Sequence, residues 1–174
     1  DFFARVLRID FAPHSHHMDA VRAEFFTSVG ALKPSVGTVP MVSTVTGHLL
    51  VGQMADTMYW WRNIRDAVQF EQGARETLRL GGNIFVEIGP HTNLSPLVSS
   101  VAADRGQQAT IVPSLKRGEP SERAMMTGLA TLYVSGVEPK WEAVHGESVQ
   151  RIDLPAYPWD KKPYWIESEE SRAA

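Results

Sequence analysis

The chain has 174 residues, 43% of them hydrophobic and 21% charged, an ordinary globular balance in a length that buries a real core. A net charge of −3 argues against a nucleic-acid binder, which needs a basic face. The absence of cysteine excludes a disulfide framework and thiol chemistry and fits a cytoplasmic protein. No apolar run approaches the roughly 20 residues of a membrane helix, and no signal-peptide pattern is present. The opening Asp1-Phe2-Phe3 lacks a Met and is already apolar, which reads as a cut through a longer polypeptide.

In chain order, Phe2 to Phe11 reads as a strand broken by Pro13. Val21, Phe25, Phe26 and Val29 recur at spacings of three and four, so Met18 to Leu32 is expected to be helical. Pro40 to Gly47 is β-branched and predicts a strand, with Leu49 to Val51 pairing nearby. Asp56 is a candidate N-cap for a helix running to about Asp66, and a further helix is expected from Gln72 to Leu80, closed by Gly81-Gly82.

Asn83 to Pro90 then predicts a buried strand leading into a turn, Leu94 to Ala103 a helix and Ala109 to Leu115 another strand. Ser121 to Val137 reads as a helix capped by Ser121, with Met125, Leu129, Leu132 and Val137 on an apolar face. The alternation of strands and helices implies an α/β fold with a mostly parallel sheet. Beyond Val137, Trp141, Pro155, Tyr157, Pro158, Trp159, Pro163, Tyr164 and Trp165 crowd a stretch of little periodicity. Such a segment is expected to lie packed over another surface, since a free one exposes a large apolar patch. The tail from Glu167 to Ala174 is acidic and is expected to fray.

Among the groups that carry chemistry, the run Pro13-His14-Ser15-His16-His17-Met18 sits at a strand-to-helix junction, where the loop is accessible and the helix start is polarised. It fits a general base, a metal site, or only turn and capping chemistry. The metal reading is weak: there is no HExxH, no cysteine, and offsets of two and three do not put histidines on one helical face. His48 and His145 read as surface residues. His91 follows Gly89-Pro90 at the end of a buried strand, either a ligand-binding edge or a structural turn. No G-x-S-x-G elbow, Walker loop or G-x-G-x-x-G is present.

Five segments nevertheless fall into one order. Asp10-Phe11-Ala12-Pro13-His14-Ser15-His16-His17-Met18 resembles the segment around the catalytic His of the acyltransferase domains of modular type I polyketide synthases. Val39 to Gly47 is similar to that family's central strand, and Tyr59-Trp60-Trp61-Arg62-Asn63-Ile64-Arg65-Asp66-Ala67-Val68-Gln69-Phe70 to its Tyr-Trp…Asn-hydrophobic-Arg helix end. Phe85 to His91 resembles its Glu-hydrophobic-Gly-Pro-His turn. Leu154 to Trp159 with Tyr164-Trp165 resembles the post-acyltransferase linker.

The resemblance spans essentially the whole chain. It implies an α/β-hydrolase-like large subdomain with an inserted ferredoxin-like small subdomain. Residues 1–12 would end the inserted subdomain, 13–118 would be the C-terminal portion of the large one, and 119–174 a helix plus linker. It further implies a Ser–His dyad that moves an extender acyl group from an acyl-CoA to the phosphopantetheine of an acyl carrier protein, with no bound cofactor and no metal. His14 matches the dyad His, and Asn63 matches a residue whose carbonyl accepts a hydrogen bond from it. The Ser, the oxyanion donors and the carboxylate-binding Arg lie upstream in the family. The expected partners are therefore the acyl carrier protein and the upstream acyltransferase and ketosynthase regions, with neither nucleic acid nor membrane.

The family's substrate-correlated tetrapeptide tends to read His-Ala-Phe-His for malonyl and Tyr-Ala-Ser-His for methylmalonyl. Here it is Phe11-Ala12-Pro13-His14, which matches neither. Phe11 resembles the Tyr without its hydroxyl, and the compact Pro13 leaves room for an α-methyl, which leans towards methylmalonyl. The alternative function is a non-catalytic docking or scaffold module working through the Trp- and Pro-rich C-terminal segment.

Overall fold

The computed structural model describes residues 10–50, 54–146, 153–164, 166 and 168–172. The chain divides into two units, Asp1–Pro139 and Lys140–Ala174. The expected strand from Phe2 lies outside the described residues except for Asp10 and Phe11, which form a bend.

The helical stretch expected from Met18 starts earlier and in a tighter form. The Ser15 hydroxyl accepts from the amide of His17 and opens a 3-10 turn over His16–Val21. Helix α1 (Arg22–Val29) continues from it and stops at Gly30, whose φ of 66° reverses the chain. Helix α2 (Thr57–Arg65) begins as expected at Asp56, whose carboxylate accepts from the Tyr59 amide at 2.8 Å. Its Thr57, Tyr59 and Trp61 are buried. Trp61 lies against Phe25 and Phe26 of α1, with ring centroids 5.6 and 6.0 Å away. The Thr57 hydroxyl donates to the carbonyl of Gly30 at 2.6 Å and accepts from the Leu32 amide at 3.0 Å, tying the exit of α1 to the start of α2.

The strand expected over Pro40–Gly47 is corrected. Only Val42 pairs, in a single antiparallel bridge to Leu49, and the chain turns at Thr44–Thr46. The cause is local. Ser43, 1% exposed, accepts the Val45 amide on its own hydroxyl at 3.0 Å, and Gly47 adopts a φ of 76°. The Ser43 hydroxyl also bonds the Tyr59 hydroxyl at 2.9 Å, which anchors the turn on α2.

Helix α3 (Phe70–Arg79), strand β1 (Ile84–Glu87), helix α4 (Ser95–Asp104) and strand β2 (Thr110–Pro113) follow the expected order. β1 and β2 are parallel, with Ile84 opposite Thr110 and Glu87 opposite Pro113, the only strand pairing in a sheet among the described residues. The helix crossover that a parallel pair requires is α4. Ala74 and Leu78 of α3 meet Val101 and Ala102 of α4, with Phe70, Phe85 and Ala109 around them, and this is the core of the βαβ unit.

Helix α5 (Ser121–Val134) packs on β2 through small residues. Ala124 and Gly128 are its buried positions, and a Cβ at Gly128 would stand 3.1 Å from Cγ1 of Val112. Ser121 is the first helical residue and not the cap: Pro120, with φ near −58°, holds that position without a side-chain bond. The helix also ends three residues before Val137, where Gly136 takes a φ of 91°. The described residues of this unit form a mixed α/β arrangement of helices and a small parallel sheet.

In the second unit, helix α6 (Trp141–His145) stacks its Trp141 and His145 rings 6.0 Å apart. Residues 153–164 form neither helix nor strand, with a tight turn where the Trp159 amide donates to the Tyr157 carbonyl at 2.9 Å, and helix α7 spans Glu169–Arg172. The rings of Tyr157 and Trp159 lie 4.7 Å apart, and both, with Tyr164, are exposed. Trp165 lies outside the described residues. Among the described residues, no helix is long and apolar enough to cross a membrane, and no group of three or more metal-ligating side chains converges.

Candidate active site

The junction Pro13–Met18 is held against the last turn of α2. His14 has a φ of 58°, the only positive value among described non-glycine residues. That left-handed conformation costs a β-carbon-bearing residue about 1 kcal/mol or more, so surrounding bonds must impose it. Two of them come from the end of α2 and its C-cap: the His14 amide donates to the carbonyl of Ile64 at 2.9 Å, and its Nδ1 lies 3.1 Å from the carbonyl oxygen of Asp66. A carbonyl only accepts, so Nδ1 carries the proton in this pairing. Nε2 is left as the basic nitrogen.

The exposed His14 ring borders a cavity of about 220 Å3 lined also by Thr44, Arg62, Asn63, Asp66 and Val68. Asn63 thus reaches the same cavity, but the carbonyl that meets the imidazole belongs to Asp66, three residues further on. Pro13 is half-buried and Phe11 is 64% exposed. His16 and His17 are exposed, with ring centroids 4.2 Å apart.

One pair of charges crosses the junction. The Arg65 guanidinium donates from Nε to Oδ1 of Asp19 at 2.7 Å and from a terminal nitrogen to Oδ2 at 3.1 Å. Those hydrogen bonds hold the Asp19 carboxyl below and the Arg65 guanidinium above their ordinary pKa ranges. Nothing in the local sequence signals this pair, because its members stand 46 positions apart.

The Gly89-Pro90-His91 turn forms a separate feature. Glu87, at the end of β1, turns its carboxylate back onto the start of α4. It accepts from the amides of Asn93 at 2.7 Å, Leu94 at 3.0 Å and Ser95 at 2.9 Å, and from the Ser95 hydroxyl. Burial pushes this carboxyl up, but the hydrogen bonds from Ser95, Asn93 and Leu94 together outweigh burial and hold it at about 2. The sequence marks Glu87 as a strand residue; its role as the anchor of α4 is set by a contact across the turn, six to eight positions away.

The depressed value makes a prediction with a definite sign. Glu87 contributes stability that is complete above its ordinary pKa of 4.5 and lost as pH falls from there through about 2. Glu87→Gln is expected to cost about 1–3 kcal/mol at neutral pH. Denaturant melts of the two proteins should converge as the pH drops through that window. A gap that does not change with pH would show that the carboxylate charge is not what anchors α4.

His91, beyond the turn, borders a larger cavity of about 640 Å3 with Phe70, Phe85, Glu87 and Ser95, and its buried Nδ1 has no hydrogen-bond partner.

Comparison with known proteins agrees with this architecture. Residues 1–139 match the model of the acyl transferase domain family, and the chain belongs to that family. It is 36% identical over 172 residues to polyketide synthase GfsB of Streptomyces halstedii, covering 98% of this chain and 3% of that protein. It is 32% identical over 173 residues to erythronolide synthase EryA2 of Saccharopolyspora erythraea, covering 98% of this chain and 5% of that protein. Among solved structures, the acyltransferase domain from module 8 of the salinomycin polyketide synthase superposes with a TM-score of 0.74 at 33% identity, over 79% of this chain and 33% of that one. A loading acyltransferase from the avermectin modular polyketide synthase superposes with a TM-score of 0.66 at 32% identity, over 71% and 38%. The chain therefore spans about a third of a solved acyltransferase chain and a few per cent of the curated synthases it matches.

Proposed function

We propose that this chain is the C-terminal part of an acyltransferase that loads an extender acyl group from coenzyme A onto the phosphopantetheine of an acyl carrier protein. The observation that carries the reading is the placement of His14: Nδ1 donates to the carbonyl of Asp66, and Nε2 is left as the base. In the first half-reaction, Nε2 takes the proton of a serine hydroxyl supplied by the upstream half of the domain. The serine oxygen attacks the thioester carbon. As the carbon–sulfur bond breaks, the imidazolium returns the proton to the departing thiolate, leaving an acyl-serine ester. In the second, Nε2 takes the proton of the pantetheine thiol. The sulfur attacks the ester carbon, and the serine oxygen leaves with that proton.

The 3.1 Å contact supports giving the tautomer-fixing role to the Asp66 carbonyl, with Asn63 shaping the wall of the same cavity. Residues 1–12 and 13–118 are read as the end of a ferredoxin-like small subdomain and the C-terminal portion of an α/β-hydrolase-like large one. Residues from 119 on are read as a helix and a linker that packs against the ketosynthase–acyltransferase connection of the same cytoplasmic polypeptide. Exposed Tyr157, Trp159 and Tyr164 supply the rings for that docking.

The extender is methylmalonyl, on the reading that Pro13 and Phe11 frame space for an α-branch. Pocket space of one methyl group is worth only about 1–3 kcal/mol, so the preference is a ratio and not an absolute. The intact domain, given equal malonyl- and methylmalonyl-CoA, is expected to accumulate mainly the methylmalonyl ester, read by mass spectrometry of the active-site peptide. A malonyl excess would reverse the specificity reading, and no ester from either would remove the transferase reading itself.

A further inference from the structure

We propose that Asp19 and Arg65 are a positioning pair for His14, holding the loop that carries the imidazole in register with the last turn of α2. The inference rests on His14 being the catalytic base.

Three consecutive residues of α2's end grip the junction. Ile64 takes the His14 amide, Arg65 takes the Asp19 carboxylate through two bonds, and Asp66 takes the His14 imidazole. The two backbone contacts act at residue 14 itself, while the charge pair acts five residues on, at the 3-10 turn of His16–Val21. Without the second attachment, the loop can pivot about residue 14 and carry Nε2 with it. With it, two points of the loop are fixed on one rigid helix end. The left-handed φ of His14 adds to the need, because a strained residue relaxes unless its neighbours hold it.

The chemistry of the two side chains fits a geometric role better than a stabilising one. Asp19 is 53% and Arg65 30% exposed, and ion pairs this open to water add little to folding stability. A guanidinium held in two parallel bonds, in contrast, sets an orientation as well as a distance. Asp66 is separately engaged by Arg62 at 3.0 Å, so Asp19 does not compete with it for Arg65.

The test uses the intact acyltransferase domain and four variants: Asp19→Asn, Arg65→Gln, the double variant, and His14→Ala as reference. Single-turnover acyl loading, the KM for acyl-CoA and the thermal midpoint are measured on each. Each single variant is expected to load about tenfold more slowly, since misplacing a reacting group by a fraction of an ångström costs on that order. KM and the thermal midpoint should hardly move. The double variant should be no slower than the worse single one, because the two residues act as a unit. Wild-type loading in both single variants, with His14→Ala inactive, would overturn the positioning pair and leave the base in place. Losses that add in the double variant, or that track a falling midpoint and rising KM, would also overturn it. Normal loading by His14→Ala would instead remove the reading on which the inference stands.

Discussion

His14→Ala, placed in the acyltransferase domain with its upstream half present, is expected to slow formation of the acyl-serine ester by roughly 100-fold or more, the loss that follows removal of a general base. The fold should survive, since the ring is at the surface and two of the junction's attachments, the amide of residue 14 to Ile64 and Asp19 to Arg65, do not use it. Acyl-CoA should still bind, so the loss should fall on the loading rate and not on KM. An alanine variant that loads at a near-normal rate would move the base to His16 or His17.

The second expectation concerns the chain by itself. It holds His14 but no serine in a G-x-S-x-G turn, and a base without a nucleophile has no oxygen to acylate. Incubation with radiolabelled malonyl- or methylmalonyl-CoA should leave the 174-residue chain unlabelled, and adding a carrier protein should not change that. Stoichiometric, hydroxylamine-sensitive label on this chain would refute the division of labour and require a nucleophile within it.

What the sequence disclosed and what it hid follow from the range of the forces involved. The start of α2 at Asp56 was legible because capping acts over a few residues. The apolar run around Ile84–Glu87 was legible as a strand because such a run is likewise a local signal. The Pro40–Gly47 stretch misled because β-branched composition says strand, while the bond from the Val45 amide to Ser43 and the φ of Gly47 decide for a turn. Ser121 misled because Pro120 takes the cap position, which leaves Ser121 as the first helical residue.

His14 stood out only as one of several open readings until the order of five motifs singled it out. The residues that hold it did not stand out at all. Asp66 contributes a backbone oxygen, to which its side chain gives no clue, and Asp19 and Arg65 meet only after the chain has folded back through α1 and the turn at Thr44.

The two-stranded sheet has a consequence for anyone who handles the chain in isolation. Among the described residues β1 pairs on one side only, and beside it Val86 is 47% and Ile88 88% exposed. An open strand edge flanked by β-branched side chains is a template for another strand, and in a pure preparation the nearest strand is the same one on a second molecule. Concentrated samples of the chain are expected to self-associate through this rim, and Ile88→Lys, which places a charge at a position already facing water, is expected to reduce that association as read by light scattering.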